Sequence, residues 1–277
     1  MKTVVRRARP ALGTLVELGI LLPGADPARP PPWALAALAA GFEALGTVEQ
    51  ATSAFLPESD VGRFNSARAG ATLPVTVDTA RVLRMALRLS RATDGLFDVT
   101  CRTGLSDWSL GRLGGAALLC KHAPNVRLDL GGVAKGYAVD RALEAMTARA
   151  RSFGRRASCW VNAGGDLRTQ GVVLRVCLRD ERGGGAWPWL TLRRGALATS
   201  DFAPTARARL AGGRPRGLHV SVLSPRCLWS DALTKVVALS GRCDHPLISS
   251  HQAFAFVHDA ALSGRNRGSE DEGPPVL

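Results

Sequence analysis

Leu128-Asp129-Leu130-Gly131-Gly132-Val133-Ala134-Lys135-Gly136-Tyr137-Ala138-Val139-Asp140 is the stretch whose reading decides the fold. The run that leads into it, Val126-Arg127-Leu128-Asp129-Leu130, alternates apolar and polar residues, the period of a strand. Two glycines follow. From Tyr137 to Met146 the chain then places Val139, Leu143 and Met146 on one face of a helix. A strand, a glycine turn and a helix start bring backbone N–H groups to one point, where an anion is favoured. Lys135 adds a positive charge at that point, and Asp129 stands at its mouth, able to accept a hydrogen bond or hold a cation. The same pattern equally describes a tight strand-to-helix connection with an ordinary surface lysine. The order of the glycines is neither G-x-x-x-x-G-K-[ST] nor G-x-G-x-x-G, so neither common phosphate loop is present.

Working outward, 277 residues allow one large domain or two modest ones, and a 46% apolar composition supplies a sizeable core. The net charge of +13 is carried almost wholly by arginine and suits acidic ligands such as a dinucleotide. The arginines are scattered except for short clusters at Arg6-Arg7-Ala8-Arg9 and Arg149 to Arg156, and no zinc-finger spacing or aromatic RNA-binding motif accompanies them, which argues against a nucleic-acid partner. None of the six cysteines forms a C-x-x-C pair, so buried reduced thiols are expected rather than a zinc site. Met1 to Leu18 lacks the apolar core of a signal peptide and a lipidation cysteine, and no apolar run reaches membrane-spanning length. The expectation is a cytoplasmic protein.

In chain order, Leu12 to Leu18 reads as an opening strand, and Pro23 to Pro32 as a Pro-rich connection. Trp33 to Gln50 carries Leu35, Leu38, Phe42 and Leu45 at helical spacing. Asp60 to Asn65 reads as a polar loop, and Asp78 as the cap of a helix running to about Arg91. Cys101 to Asn125 reads as irregular. After the central unit, Ser158–Asn162, Val172–Leu178, Trp189–Leu192, Ala196–Ser200, His219–Leu223 and Phe254–Val257 read as strands. Gly183 to Gly185 is the expected hairpin loop, and a helix is expected from Asp231 to Leu239. Ser263 to Leu277 is polar and is expected to be a disordered tail. The expected fold is α+β: residues 1–262 as a single domain, with a mixed, mainly antiparallel sheet flanked by helices.

Several boxes then appear in a fixed order. They are Leu-Gly-Thr at 12–14, Arg-Phe-Asn at 63–65, Asp-Gly-Leu-Phe-Asp-Val-Thr at 94–100 and the central Asp-Leu-Gly-Gly-Val-Ala-Lys-Gly-Tyr-Ala-Val-Asp at 129–140. Asn-Ala-Gly-Gly-Asp at 162–166, Ala-Thr-Ser at 198–200 and Ser-Asp-Ala-Leu-Thr-Lys at 230–235 follow. Singly each is weak, but in this order the chain resembles the FAD:protein FMN transferase (ApbE) family.

That resemblance implies a reaction. FAD binds with Mg²⁺ on its diphosphate, a threonine hydroxyl of an acceptor flavoprotein attacks the FMN phosphorus, and AMP leaves. It also implies roles. Asp129 and Lys135 contact FAD, with Leu12, Asn65, Leu96, Phe97 and Asp98 from the other boxes around the same site. Phe97 reads equally as plain core, and Asp98 as a turn cap. Gly132, through its carbonyl, and Asp231 hold the metal, joined by Thr234. Asp231 is also the catalytic candidate.

The chain departs from the family pattern in three places. Leu12 stands where methionine is usual. The family's threonine four residues after the metal aspartate is replaced by Lys235, with Thr234 one place earlier. The family's His-x-x-Asp-Pro stretch has no clear counterpart. His219 is a catalytic candidate if it belongs to that stretch, and a plain strand residue if His219–Ser224 is the strand before the last helix. A FAD-binding homologue with weak or no transferase activity is therefore the alternative reading.

Overall fold

The computed structural model describes residues 2–24, 26, 28–100, 105–179, 186–202 and 218–259. The expected hairpin loop at Gly183–Gly185 and the tail at Ser263–Leu277 lie outside them, as do Cys101–Gly104.

The chain opens with a hairpin of β1 (Lys2–Ala11) and β2 (Thr14–Pro23). Leu12 and Gly13 are its two turn residues, with φ of 54° and 71°. Positive φ at both central positions lets the turn follow the strands' right-handed twist. Leu12 is therefore not the start of a strand, as its apolar neighbours suggested. Its N–H is held by Glu49 Oε1 at 2.9 Å.

Next come α1 (Pro32–Thr52), α2 (Asp60–Ser66), β3 (Thr72–Val75) and α3 (Val77–Ala92). The polar loop expected at Asp60–Asn65 is thus a helix, capped by the Ser59 hydroxyl, which accepts from Gly62 N–H at 2.8 Å. α3 is capped by Thr76, not Asp78; Asp78 lies in its first turn and accepts the Tyr137 hydroxyl at 2.5 Å. The region expected to be irregular holds a second hairpin, β4 (Trp108–Leu113) and β5 (Ala116–Lys121), turned at Gly114-Gly115 and paired with β3.

α4 (Ala134–Ser152) begins three residues before the expected helix. β6 (Ser158–Ala163), β7 (Asp166–Arg179), β8 (Ala186–Asp201), β9 (Leu218–Ser224), α5 (Cys227–Ser240), α6 (Pro246–Ser250) and β10 (Phe254–Asp259) complete the chain. The strands expected at Trp189–Leu192 and Ala196–Ser200 form one strand, β8.

The main sheet runs β1-β2-β6-β7-β8-β9-β10, and every pairing among the described residues is antiparallel. α4 packs on β6 and β7, α5 on β8 and β9, and the two helices pack on each other; α1 lies against α4. Leu18, Ile20, Leu38, Leu45, Val139, Met146 and Val161 meet in the core these layers enclose. Each such side chain contributes roughly 1.5–3 kcal/mol when fully buried. Among the described cysteines, Cys159 and Cys227 are buried thiols as expected, whereas Cys177 and Cys243 are exposed. No helix among the described residues is long and apolar enough to cross a membrane.

Candidate functional site

The alternation read at Val126–Leu130 is real, since Val126, Leu128 and Leu130 are buried and Arg127 and Asp129 exposed, but the segment joins no sheet. Its backbone polar groups still need partners. Asn65 supplies two: its Nδ2 donates to Leu128 O at 3.0 Å, and its Oδ1 accepts from Leu128 N–H at 2.7 Å. Val99 O supplies another, accepting from Asp129 N–H at 2.8 Å. A side-chain amide thus stands in for a neighbouring strand. Asp98 stiffens the adjoining segment by accepting from the Thr100 N–H at 2.8 Å and hydroxyl at 2.7 Å. Phe97 is buried in the core, and Leu96 beside it is exposed. Asp129 Oδ1 accepts from Gly131 N–H at 2.8 Å, so the carboxylate folds over the glycine turn.

Behind that turn, α4 and α5 cap each other. Asp231 of α5 accepts from Gly136 N–H in the first turn of α4, Oδ2 at 2.9 Å. Asp140 of α4 accepts from Cys227 N–H at 2.9 Å and Leu228 N–H at 3.2 Å, the first N–H groups of α5. α5 accordingly starts at Cys227, and Asp231 sits one turn inside it rather than at its beginning. The aspartate that caps this helix is 87 residues away in sequence. Gly136 makes the close approach possible: a Cβ there would lie 2.3 Å from Cys227 O and 2.7 Å from Asp231 Cβ.

Two lysines and two carboxylates meet at this junction. Lys135 Nζ donates to Asp166 Oδ2 at 2.6 Å. Lys235 Nζ donates to Asp231 Oδ1, to Asp231 O at 3.0 Å and to Ser200 Oγ at 3.2 Å. Asp166 is 1% exposed, and its Oδ1 is buried with no hydrogen-bond partner among the described residues. Burial, and then the nearby Asp231 carboxylate, push the Asp166 carboxyl up to about 6, with Lys135 and Lys235 pulling it back only in part. Burial also works against the Lys135 ammonium, but Asp166 and Asp231 more than offset it, and its pKa is raised. The raised lysine describes a favourable pair and the raised carboxyl an unfavourable one. The two are compatible: ionising the fully buried carboxyl costs stability even with Lys135 beside it, and once ionised it holds the Lys135 ammonium, which is partly open to solvent.

The structure therefore brings together Gly132, Lys135, Asp231 and Thr234, with Asp129 on the turn beside them. Asn65, Phe97 and Asp98 belong to the frame that holds the Asp129 segment. Sequence reasoning passed over Asp166 and Ser200 as site residues. Both end boxes already singled out, Asn162–Asp166 and Ala198–Ser200, which was the available signal. His219 lies in β9, opposite Asp201 of β8 and His258 of β10, its ring 3.7 Å from Asp201 Oδ1. It belongs to the strand that precedes α5.

Of the groups named for a metal, the Asp231 and Thr234 side chains are already engaged. Asp231 holds Lys235 with one carboxylate oxygen and Gly136 N–H with the other. The Thr234 hydroxyl donates to Asp231 O at 2.7 Å and shares a 2.7 Å hydrogen bond with Ser200 Oγ. Among the described residues no group of three or more His, Cys, Asp or Glu side chains is arranged to hold a metal ion. The donor set does not fit Mg²⁺ in the way the family pattern implies.

An antiparallel sheet, two mutually capped helices and a charged glycine turn at their junction define the class of fold and site. The model of the ApbE family matches residues 12–118 and 103–202, and the chain belongs to that family. A curated FAD:protein FMN transferase of Haemophilus influenzae is 26% identical over 158 residues, 46% of this chain and 44% of that protein. The match thus spans less than half the length of that relative. An ApbE protein of Thermotoga maritima is similar in structure with a TM-score of 0.73 at 21% identity, covering 92% of this chain and 94% of the other. The flavin transferase ApbE of Vibrio cholerae gives 0.72 at 21% identity, covering 93% and 94%. The fold expected from the sequence, α+β with a mainly antiparallel sheet, is the fold observed.

Proposed function

We propose that the protein is an FAD:protein FMN transferase, moving FMN from FAD to a threonine hydroxyl of an acceptor flavoprotein with release of AMP. The observation that carries this reading is the convergence of the Gly131-Gly132 turn, Lys135, Asp166 and Asp231 at the start of α4, in a chain of the ApbE family. A diphosphate needs neutralising charge and N–H donors, and Lys135, partly open to solvent, and the Gly132 backbone are the groups here that would supply them. Asp129, on the turn, accepts hydrogen bonds from the flavin nucleotide. Lys135 lies against the diphosphate, poised by Asp166. Leu12 and Leu96 line the flavin side, and Asn65, Phe97 and Asp98 act by fixing the Asp129 segment. Asp231 is a positioning residue, since both its oxygens are occupied. Phosphoryl-type transfer is chiefly positioning and electrostatics, so no covalent intermediate with this chain is required.

The Mg²⁺ of the family resemblance would need Gly132, Asp231 and Thr234, and no step is assigned to it because Asp231 and Thr234 are committed. A second reading, a flavin-binding homologue with little transferase activity, is favoured by the same commitment and by the place of His219 in β9. Incubating the protein with FAD and an acceptor flavoprotein domain separates the two. A gain of one FMN in the acceptor's mass supports transfer. Bound FAD with an unchanged acceptor supports the second reading.

A further inference from the structure

We propose that the Lys235 ammonium is the resident cation of this site. It stands against Asp231 where a divalent metal would otherwise be held and cancels that carboxylate's charge beside a flavin diphosphate, so FAD binds to this chain without Mg²⁺. The inference rests on the flavin reading above and concerns how the diphosphate is neutralised.

Four observations carry it. First, Lys235 Nζ has three protons and meets three oxygens: a carboxylate (Asp231 Oδ1), a backbone carbonyl (Asp231 O, 3.0 Å) and a hydroxyl (Ser200 Oγ, 3.2 Å). Carboxylate, carbonyl and hydroxyl are the donor types a hard cation collects. Second, the lysine stem runs past the glycine turn. The Cβ direction of Gly132 meets Lys235 Cε at 3.6 Å, Cγ at 3.9 Å and Cδ at 4.0 Å, so the lysine lies against the very residue whose carbonyl the family pattern gives to the metal. Third, Thr234 is turned away, its hydroxyl spent on Asp231 O and Ser200.

The fourth observation is the charge balance. Asp166 and Asp231 are matched by Lys135 and Lys235, and each carboxylate holds one ammonium. Without Lys235 the junction would carry excess negative charge toward a diphosphate, and a metal would be needed to bring the two together. The residue type is also telling. Of the 36 cationic residues only four are lysine, and two of those four stand here, in a chain that otherwise uses arginine. A compact ammonium can sit among three oxygens as a metal ion does, whereas a planar guanidinium cannot. Lys235 and Asp231 are buried, at 8% and 0% exposure, so this is not a solvated helix-surface pair, for which little significance could be claimed.

The test is FAD titration of the full chain in excess Mg²⁺ and in excess EDTA, with Mn²⁺ spin resonance as a second readout. The native protein is expected to bind FAD equally in both, within about twofold, and to show no FAD-dependent bound Mn²⁺. Lys235→Thr is expected to lose roughly tenfold or more in affinity under EDTA, to regain it with Mg²⁺, and to gain a FAD-dependent Mn²⁺ signal. Lys235→Met, which keeps the stem and drops the charge, should show the same loss under EDTA and guards against a Thr variant that folds poorly. Native binding that requires Mg²⁺, with FAD-dependent bound Mn²⁺, overturns the role of Lys235 and leaves the flavin reading standing. No FAD binding by the folded protein under either condition overturns both.

Discussion

Asp140 and Asp231 are both fully buried, and each caps the helix that carries the other. Their surroundings differ. Asp140 accepts from two backbone N–H groups and pairs with Arg168 at 2.8 Å and Arg226 at 3.3 Å. Burial raises its pKa, and the arginines and N–H groups pull it back in part. Asp231 has one N–H, one lysine and a second carboxylate close by, Asp166, one of whose oxygens has no partner among the described residues. A buried carboxylate saturated by arginines and N–H groups is part of the frame. One that shares lysines with a neighbour, beside a glycine turn, leaves charge available to a ligand. Polar groups that a fold leaves incompletely satisfied mark where it meets its chemistry.

The largest effect is expected at the saturated carboxylate. Asp140→Ala leaves Arg168 without its buried partner and the first turn of α5 uncapped, and should lower stability by about 3–5 kcal/mol. Urea unfolding measures it, and a change within error would mean that the reciprocal capping contributes little to the fold.

A smaller, pH-dependent effect is expected at Asp166. Its carboxyl is pushed up to about 6 in the folded chain against 3.8 unfolded. The folded chain therefore keeps this proton through a window in which the unfolded chain has lost it. The contribution to folding is fully present below the unfolded value and is lost as pH rises through about 6. The unfolding midpoints of the native protein and Asp166→Asn should converge near about pH 4 and separate toward about pH 7, with the variant the more stable. Parallel curves across that range would show that Asp166 does not titrate there.

The same contrast explains what could be read in the sequence. α1 was legible because Leu35, Leu38, Phe42 and Leu45 recur at helical spacing over a long segment, and β9 because it alternates without interruption. The start of α5 was misplaced because an aspartate normally marks a helix N-terminus, and the actual cap, Asp140, comes from another helix. The extended Val126–Leu130 segment looked like a strand because burial does alternate along it. Its partner is the Asn65 side chain, which no periodicity reports. The β4–β5 hairpin was hidden by glycines that read as disorder of pattern rather than as a turn. At the site, Lys135, Gly132 and Asp231 were visible as motif residues, and Lys235 as a departure. That Lys235 binds three oxygens, and that Asp166 joins it, depends on β7, β8 and α5 meeting in space.

The most direct test of a flavin site at this junction is FAD titration of the purified, demonstrably folded protein alongside Asp129→Ala. The Asp129 side chain is exposed and, among the described contacts, bonds only within its own turn, so its loss should spare the fold. Saturable FAD binding by the native chain is expected, with affinity about ten- to a hundredfold weaker in the variant and the same unfolding midpoint. No binding by the native protein, or equal affinity in the two, would contradict a flavin site at this glycine turn.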